Sequence, residues 1–132
     1  MGDADKVFQS YGRSCNNPVF YEDFYNAFMN KSADIRAMFI NTDMAAQRGL
    51  LRGGIMWLVM YARGMSDNKI RALGESHSRK NMNINPAHYS LWMDALMETL
   101  SKHDPQFDEE LERTWRATLR PAIEIIQTMY DQ

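Results

Sequence analysis

A single cysteine, Cys15, excludes an intramolecular disulfide and any zinc site built on several thiolates. One free thiol fits a reducing compartment, so the expected location is cytoplasmic. Charge of one sign is also lacking. Fifteen Lys and Arg face seventeen Asp and Glu, a formal −2, which gives no global attraction to nucleic acid or to an anionic membrane. No apolar run approaches the roughly 20 residues of a membrane span. The opening Met1-Gly2-Asp3-Ala4-Asp5-Lys6 lacks a basic stretch followed by an apolar one, so no secretory leader is visible. Strand formers never alternate strictly with polar residues, which removes the main sign of half-buried strands. No phosphate loop, EF-hand or His-Glu-x-x-His motif occurs. Gly74-Glu75-Ser76-His77-Ser78 lacks the second glycine and the preceding strand of a nucleophile elbow.

What is present fits one globular domain over residues 1–132, with 45% hydrophobic and 24% charged residues. A chain of this length buries roughly two thirds of its unfolded surface without covalent help. Eleven methionines point to a Met-rich helical core, because the unbranched side chain suits helices and fills irregular gaps.

The few prolines punctuate. Asn17-Pro18, Asn85-Pro86 and Asp104-Pro105 each set a capping residue before a proline suited to the first helical position. Thr42-Asp43 reads as a further start, with Thr42 as the cap. Between these marks the apolar spacing is helical. A first helix is expected from about Asp3 to Cys15. A second follows Pro18, with Tyr21, Phe24, Tyr25 and Phe28 in register. A short one covers Ala33 to Met38. A long one runs from about Asp43 to Arg63 with the stripe Met44, Leu51, Ile55, Leu58. After Gly64 a helix carries Ile70, Leu73 and His77. Pro86 opens one with Tyr89, Trp92, Met93, Leu96 and Leu100. The last spans about Phe107 to Tyr130 and contains Pro121, which should kink it or force a local adjustment. The fold class is all-α, about seven helices with short connections.

Two polar residues interrupt these apolar stripes, and buried polar groups need a partner or a ligand. Gln47 sits within the stripe of the long helix, and His77 ends the stripe of the next. One His cannot hold a bare zinc ion, which wants about four ligands. It can hold a metal that brings its own equatorial ligands, as haem does. Ser76 is placed to accept the second ring N–H and fix the tautomer. Gln47 offers an amide donor to the open side of such a metal, and Tyr25 a second donor. The plain alternatives are a core histidine bonded to a carbonyl, a glutamine reaching water and a packing tyrosine.

Together Phe24-Tyr25, Phe39, Gln47, Leu51, Leu73-Gly74-Glu75-Ser76-His77 and Pro86-Ala87-His88-Tyr89 resemble the globin superfamily, in particular bacterial single-domain haemoglobins. The resemblance runs from Phe8 to Tyr130. It implies a globin fold around a pocket for haem b, with His77 as the proximal iron ligand and Phe39 flat on the porphyrin. It implies Tyr25 and Gln47 as distal donors, Leu51 as the apolar residue over the iron, and Leu73, Ile84 and Tyr89 as haem contacts. Arg79 and Lys80 could pair with the propionates. Only eight positions separate Phe39 from Gln47, a shortened CD and D region. Ser32-Ala33 stands where a proline often opens the third helix. Gly53-Gly54 in mid-helix costs roughly 1 kcal/mol per glycine, which close helix packing or a ligand passage would explain.

The implied function is reversible binding of O₂, CO and NO at a histidine-ligated iron. Nitric oxide or redox chemistry, including dioxygenase or peroxidase side activity, or oxygen sensing would then depend on an external reductant or reductase. The rival reading is a globin fold that has lost haem and serves as a regulatory interaction module.

Overall fold

The computed structural model describes residues 2–131. Among them are seven helices and no strand: α1 (Asp3–Ser14), α2 (Val19–Met29), α3 (Ala33–Met38), α4 (Met44–Ala62), α5 (Asn68–His77), α6 (His88–His103) and α7 (Glu109–Thr128). Helix α2 packs on α6, and α7 takes α1, α4 and α5 against itself. Their apolar faces meet in one core, with Trp115, Tyr11, Phe20, Phe24, Leu96 and Leu119 fully buried. Among the described residues no helix is long and apolar enough to cross a membrane.

Local chemistry sets most boundaries. Asn17 and Asn85 accept hydrogen bonds from the backbone N–H of Val19 and Ala87 at 3.0 and 2.9 Å, turns that lead into helices beginning at Val19 and His88, so Pro18 and Pro86 stand one and two residues before the first helical position instead of at it. Ser32 caps α3 through the Ile35 N–H at 3.1 Å, which supplies what the absent proline would have preorganised. At α4 the cap is Asp43, not Thr42. The Asp43 carboxylate accepts from the N–H groups of Ala45 and Ala46, whereas the Thr42 hydroxyl turns back to the Met38 carbonyl. Helix α7 begins at Glu109 with Asp108 as its cap, two residues later than the apolar spacing predicts. It passes Pro121 unbroken on the exposed side of the helix, where Ala117, the residue whose carbonyl loses its donor, is also exposed.

The methionines depart from the expected Met-rich core. Among the described residues only Met93 and Met97 are buried, Met29, Met44 and Met56 pack partly buried against the core, and Met65 and Met82 are well exposed. Aromatic and branched residues fill the centre instead.

Asp104 is the largest surprise. Read locally, it caps a helix. In the fold its carboxylate is cut off from water and accepts from Ser10 Oγ (2.6 Å), Arg13 Nε (2.7 Å), Arg13 Nη2 (3.0 Å) and the Gln106 N–H (2.9 Å). Ser10 in turn accepts from the Trp115 indole at 2.9 Å. Burial alone would raise the carboxyl pKa, but the bonds from Arg13, Ser10 and Gln106 outweigh it and hold the pKa below its ordinary value.

The two mid-helix glycines of α4 do not serve close packing within the chain. A Cβ at Gly53 or Gly54 would meet no atom within 4 Å. By contrast, a Cβ at Gly74 would come 2.6 Å from Met129 Sδ, 3.3 Å from Met129 Cβ and 3.4 Å from Ile126 Cα, so α5 lies on α7 because that residue has no side chain.

Two stability outcomes are expected. Asp104→Asn should cost about 3 kcal/mol, because it leaves Arg13 without its buried counter-charge. The wild type should lose this contribution as pH falls through the depressed folded-state pKa, below about 4, while the variant does not. Urea unfolding at pH 7 and pH 3 measures both. Gly53→Ala should raise stability by about 0.5–1 kcal/mol, since helix propensity improves and nothing is struck; thermal unfolding checks it.

Candidate functional site

Tyr25 lies on the buried face of α2, one turn after Tyr21, and Gln47 lies in the first turn of α4. The fold brings them together. Gln47 Nε2 donates to the Tyr25 hydroxyl at 3.2 Å, and that hydroxyl points back to the Gln47 carbonyl at 3.4 Å. Burial raises the Tyr25 pKa and the Gln47 bond lowers it, leaving it pushed up to about 12. The phenol therefore keeps its proton, and stays a donor, throughout the physiological range. The Asp43 cap fixes where α4 starts and so where Gln47 projects. Leu51, one turn further, is buried beside it.

Phe39 closes this side. It follows α3 directly, and its ring stands edge-on to Tyr25 with centroids 5.3 Å apart, and tilted to Phe28 at 6.2 Å. The eight-residue step from Phe39 to Gln47 is one turn and a cap, with no separate fourth short helix.

His77 is the last residue of α5. Its Nδ1 lies 3.1 Å from the Tyr89 hydroxyl, and the two rings stack with centroids 6.4 Å apart. Burial lowers the His77 pKa and raises that of Tyr89, so both favour their neutral forms. In the tautomer whose Nδ1–H donates to Tyr89, Nε2 carries the free lone pair.

The partner of the ring is therefore Tyr89 and not Ser76. The Ser76 hydroxyl donates to the Leu73 carbonyl at 3.0 Å within its own helix. Tyr89 was legible as a residue of the pocket, but its bond to His77 spans a loop whose path the sequence does not display. Arg79 is also directed elsewhere. Its Nη2 pairs with Asp131 at 2.7 Å, and its guanidinium lies over the Tyr130 ring at 5.2 Å. Leu73 is half-buried one turn before His77. Ile84 returns to the same place, its N–H donating to the His77 carbonyl at 3.0 Å. The return is made by Asn83, which takes the left-handed conformation at φ 53°.

Two supports were not singled out from the sequence. Gly74 lets α5 settle on α7 and so orients the turn that carries His77. Gln127 Nε2 reaches the Pro86 carbonyl at 3.3 Å and ties α7 to the start of the helix bearing Tyr89. The Gly74-to-Leu73-to-His77 spacing marks the first; nothing local marks the second. His88, beside Tyr89, has a buried Nδ1 without a hydrogen-bond partner. Among the described residues no group of three or more His, Cys, Asp or Glu is placed to hold a bare metal ion. The chemistry on offer is thus one neutral imidazole nitrogen on α5 and a pair of neutral hydrogen-bond donors between α2 and α4, on helices that pack against each other.

The globin family model matches residues 22–126, which contain Tyr25, Phe39, Gln47, Leu51, Leu73, His77, Ile84 and Tyr89. A crystal structure from Pseudomonas aeruginosa, of a protein described as structurally highly homologous to a human haemoglobin, superposes with a TM-score of 0.96. It shares 50% sequence identity and the match covers 99% of this chain and all of that one. No curated protein matches the sequence significantly. With this family match over most of its length, on a fold and a set of residues that carry the same features, the chain belongs to the globin family.

Proposed function

We propose that this globin binds haem b through His77 Nε2 and receives small diatomic ligands on the side of Tyr25 and Gln47. The observation that carries the reading is the held imidazole: Tyr89 engages Nδ1, burial keeps the ring neutral, and Nε2 is the atom left to ligate. When bound, haem supplies an iron with a sixth position open to O₂, CO or NO.

The residues do the rest. Phe39, Leu51, Leu73, Ile84 and Tyr89 supply apolar and aromatic surface for the cofactor's faces and edges, and exclude water from them. Ser76 and Arg79, turned toward Leu73 and Asp131, leave that set. Gln47 Nε2 gives one proton to the Tyr25 hydroxyl and keeps its second for a ligand, while the Tyr25 proton, held only by the long 3.4 Å bond to the Gln47 carbonyl, is free to swing to a ligand when one arrives. A donor to a ligand that carries partial negative charge contributes about 1–3 kcal/mol. Every 1.4 kcal/mol is about tenfold in affinity. O₂, which becomes polarised, gains from both donors, while CO gains less. Tight O₂ holding suits nitric oxide or redox chemistry, or sensing, better than bulk delivery. Turnover would draw electrons from an external reductant or reductase. The free Cys15 fits a reducing, cytoplasmic setting.

Absorption spectra of the protein with and without added haem test the reading. A stoichiometric Soret band with stable ferrous-O₂ and ferrous-CO forms is expected. A spectrum that haem leaves unchanged would overturn it in favour of the haem-free interaction module. His77→Ala should lose haem on gel filtration, and retention with an unchanged spectrum would remove His77 as the ligand. Tyr25→Phe should speed O₂ dissociation by about tenfold or more while moving CO dissociation far less. Equal small changes would place the Tyr25 hydroxyl away from the ligand.

A further inference from the structure

His88 carries a buried atom with nothing to bond. Among the described residues, its Nδ1 is the single buried side-chain nitrogen or oxygen that lacks a hydrogen-bond partner. The contrast with Asp104 is plain, since four donors fill that buried carboxylate. An imidazole nitrogen shut off from water without a partner costs stability, and such an atom calls for a ligand or a role.

Its place in the fold narrows what that ligand is. His88 is the first residue of α6. It stands between Ile84, whose N–H meets the His77 carbonyl, and Tyr89, whose hydroxyl meets the His77 ring. On the helix it heads a stripe with Trp92, Ala95 and Thr99, which project within about 40° of it. Ala95 and Thr99 are buried. Trp92 stands edge-on to Phe24 of α2 with centroids 5.7 Å apart, and Phe24 edge-on to Tyr25 at 5.2 Å. The half-buried ring of His88 therefore opens the α2-facing stripe of α6, next to the two residues that contact His77, and not the outer side of the helix.

The side groups of haem b are methyls, vinyls and two propionates, and only the propionates can take a hydrogen bond. The residues beside His77 leave those acids unpaired. Ser76 gives its hydroxyl to the Leu73 carbonyl, Arg79 pairs with Asp131, and Lys80 is exposed. His88 lies at the positive end of a 16-residue helix with no acidic residue in its first turn, where a carboxylate is favoured. We propose that His88 Nδ1–H donates to a haem propionate, so that His88 anchors the acidic edge of the cofactor whose iron His77 ligates. The inference rests on the haem reading above and adds a residue to it. Neighbours on one turn then divide the work: Tyr89 orients the iron ligand and His88 holds the carboxylate. A charge-assisted bond from a nitrogen already stripped of water is worth more than one from an exposed lysine.

Haem release from the full chain to excess serum albumin, followed by the Soret absorbance, tests this. His88→Leu should release haem about tenfold faster than wild type or more. His88→Asn, which keeps an N–H near the position of Nδ1, should restore part of the difference. With the dimethyl ester of haem, whose acids carry no charge, wild type and His88→Leu should release at nearly the same rate. The haem-free proteins give the opposite sign. There His88→Leu removes an unsatisfied nitrogen and should melt about 3 °C or more above wild type. A haem-free variant that melts below wild type overturns the proposal, and so does a difference in release that persists with the ester. Uptake of haem by both proteins with equal release overturns this inference alone. A wild type that takes up neither porphyrin overturns the haem reading and this inference with it.

Discussion

A carboxylate without access to water holds the frame together. Asp104, at the end of α6, binds Ser10 and Arg13 of α1, and Ser10 takes the indole N–H of Trp115 on α7. A buried charge of this kind is tolerated only when its lone pairs are filled, and here four donors fill them. The arrangement fixes α1, and α1 passes the constraint on. The hydroxyl of Tyr11, buried one residue after Ser10, meets the Tyr21 hydroxyl of α2 at 2.7 Å and the Arg52 carbonyl of α4 at 3.2 Å. Tyr21 is one turn before Tyr25, and Arg52 is five residues after Gln47. The polar seam that begins at Asp104 therefore sets the relation of the two helices that carry the donor pair.

The other half of the site rests on shape more than on charge. Helix α5 is short and depends on its contact with α7, and Gly74 decides how close that contact is. The loop after His77 is then drawn back by Ile84, whose N–H takes the His77 carbonyl, with Asn83 in the conformation that makes the turn possible. Tyr130 donates to the Asn83 side chain, and the Arg79 N–H donates to the Tyr130 carbonyl, so the end of α7 holds both sides of the loop. Tyr89 arrives at the imidazole from α6, which Gln127 of α7 anchors at Pro86. Helix α7 thus serves both halves, through Trp115 at one end and through Gln127 and Met129 at the other.

Burial acts on the ionisable groups of the site in one direction. Tyr25 and Tyr89 are pushed up and His77 is pushed down, so all three are held neutral. Neutral donors and a neutral imidazole are what a closed apolar pocket tolerates, because none of them brings a charge that must be solvated. The charged residues near the site, Arg79 and Asp131, pair with each other at the surface instead.

The sequence by itself determined the helices and three of the polar residues that matter. Asn17-Pro18, Asn85-Pro86 and the 3.6-residue spacing of Tyr21, Phe24, Tyr25 and Phe28 are local signals, and helices are local objects closed by bonds four residues apart. Gln47 and His77 stood out because they are polar on apolar stripes, and Tyr25 entered as a second donor from another helix. Tertiary structure decided which groups touch. Asp104 reads as a cap beside Pro105, but its partners lie 91 and 94 residues away. Ser76 is adjacent to His77, yet Tyr89, 12 residues on, reaches the ring, because a serine at the end of a helix satisfies itself on the preceding turn. Arg79 found Asp131 for the same reason of long separation. Local rules order residues within a turn; contacts across the core are settled only when whole helices pack, and that is where this site is made.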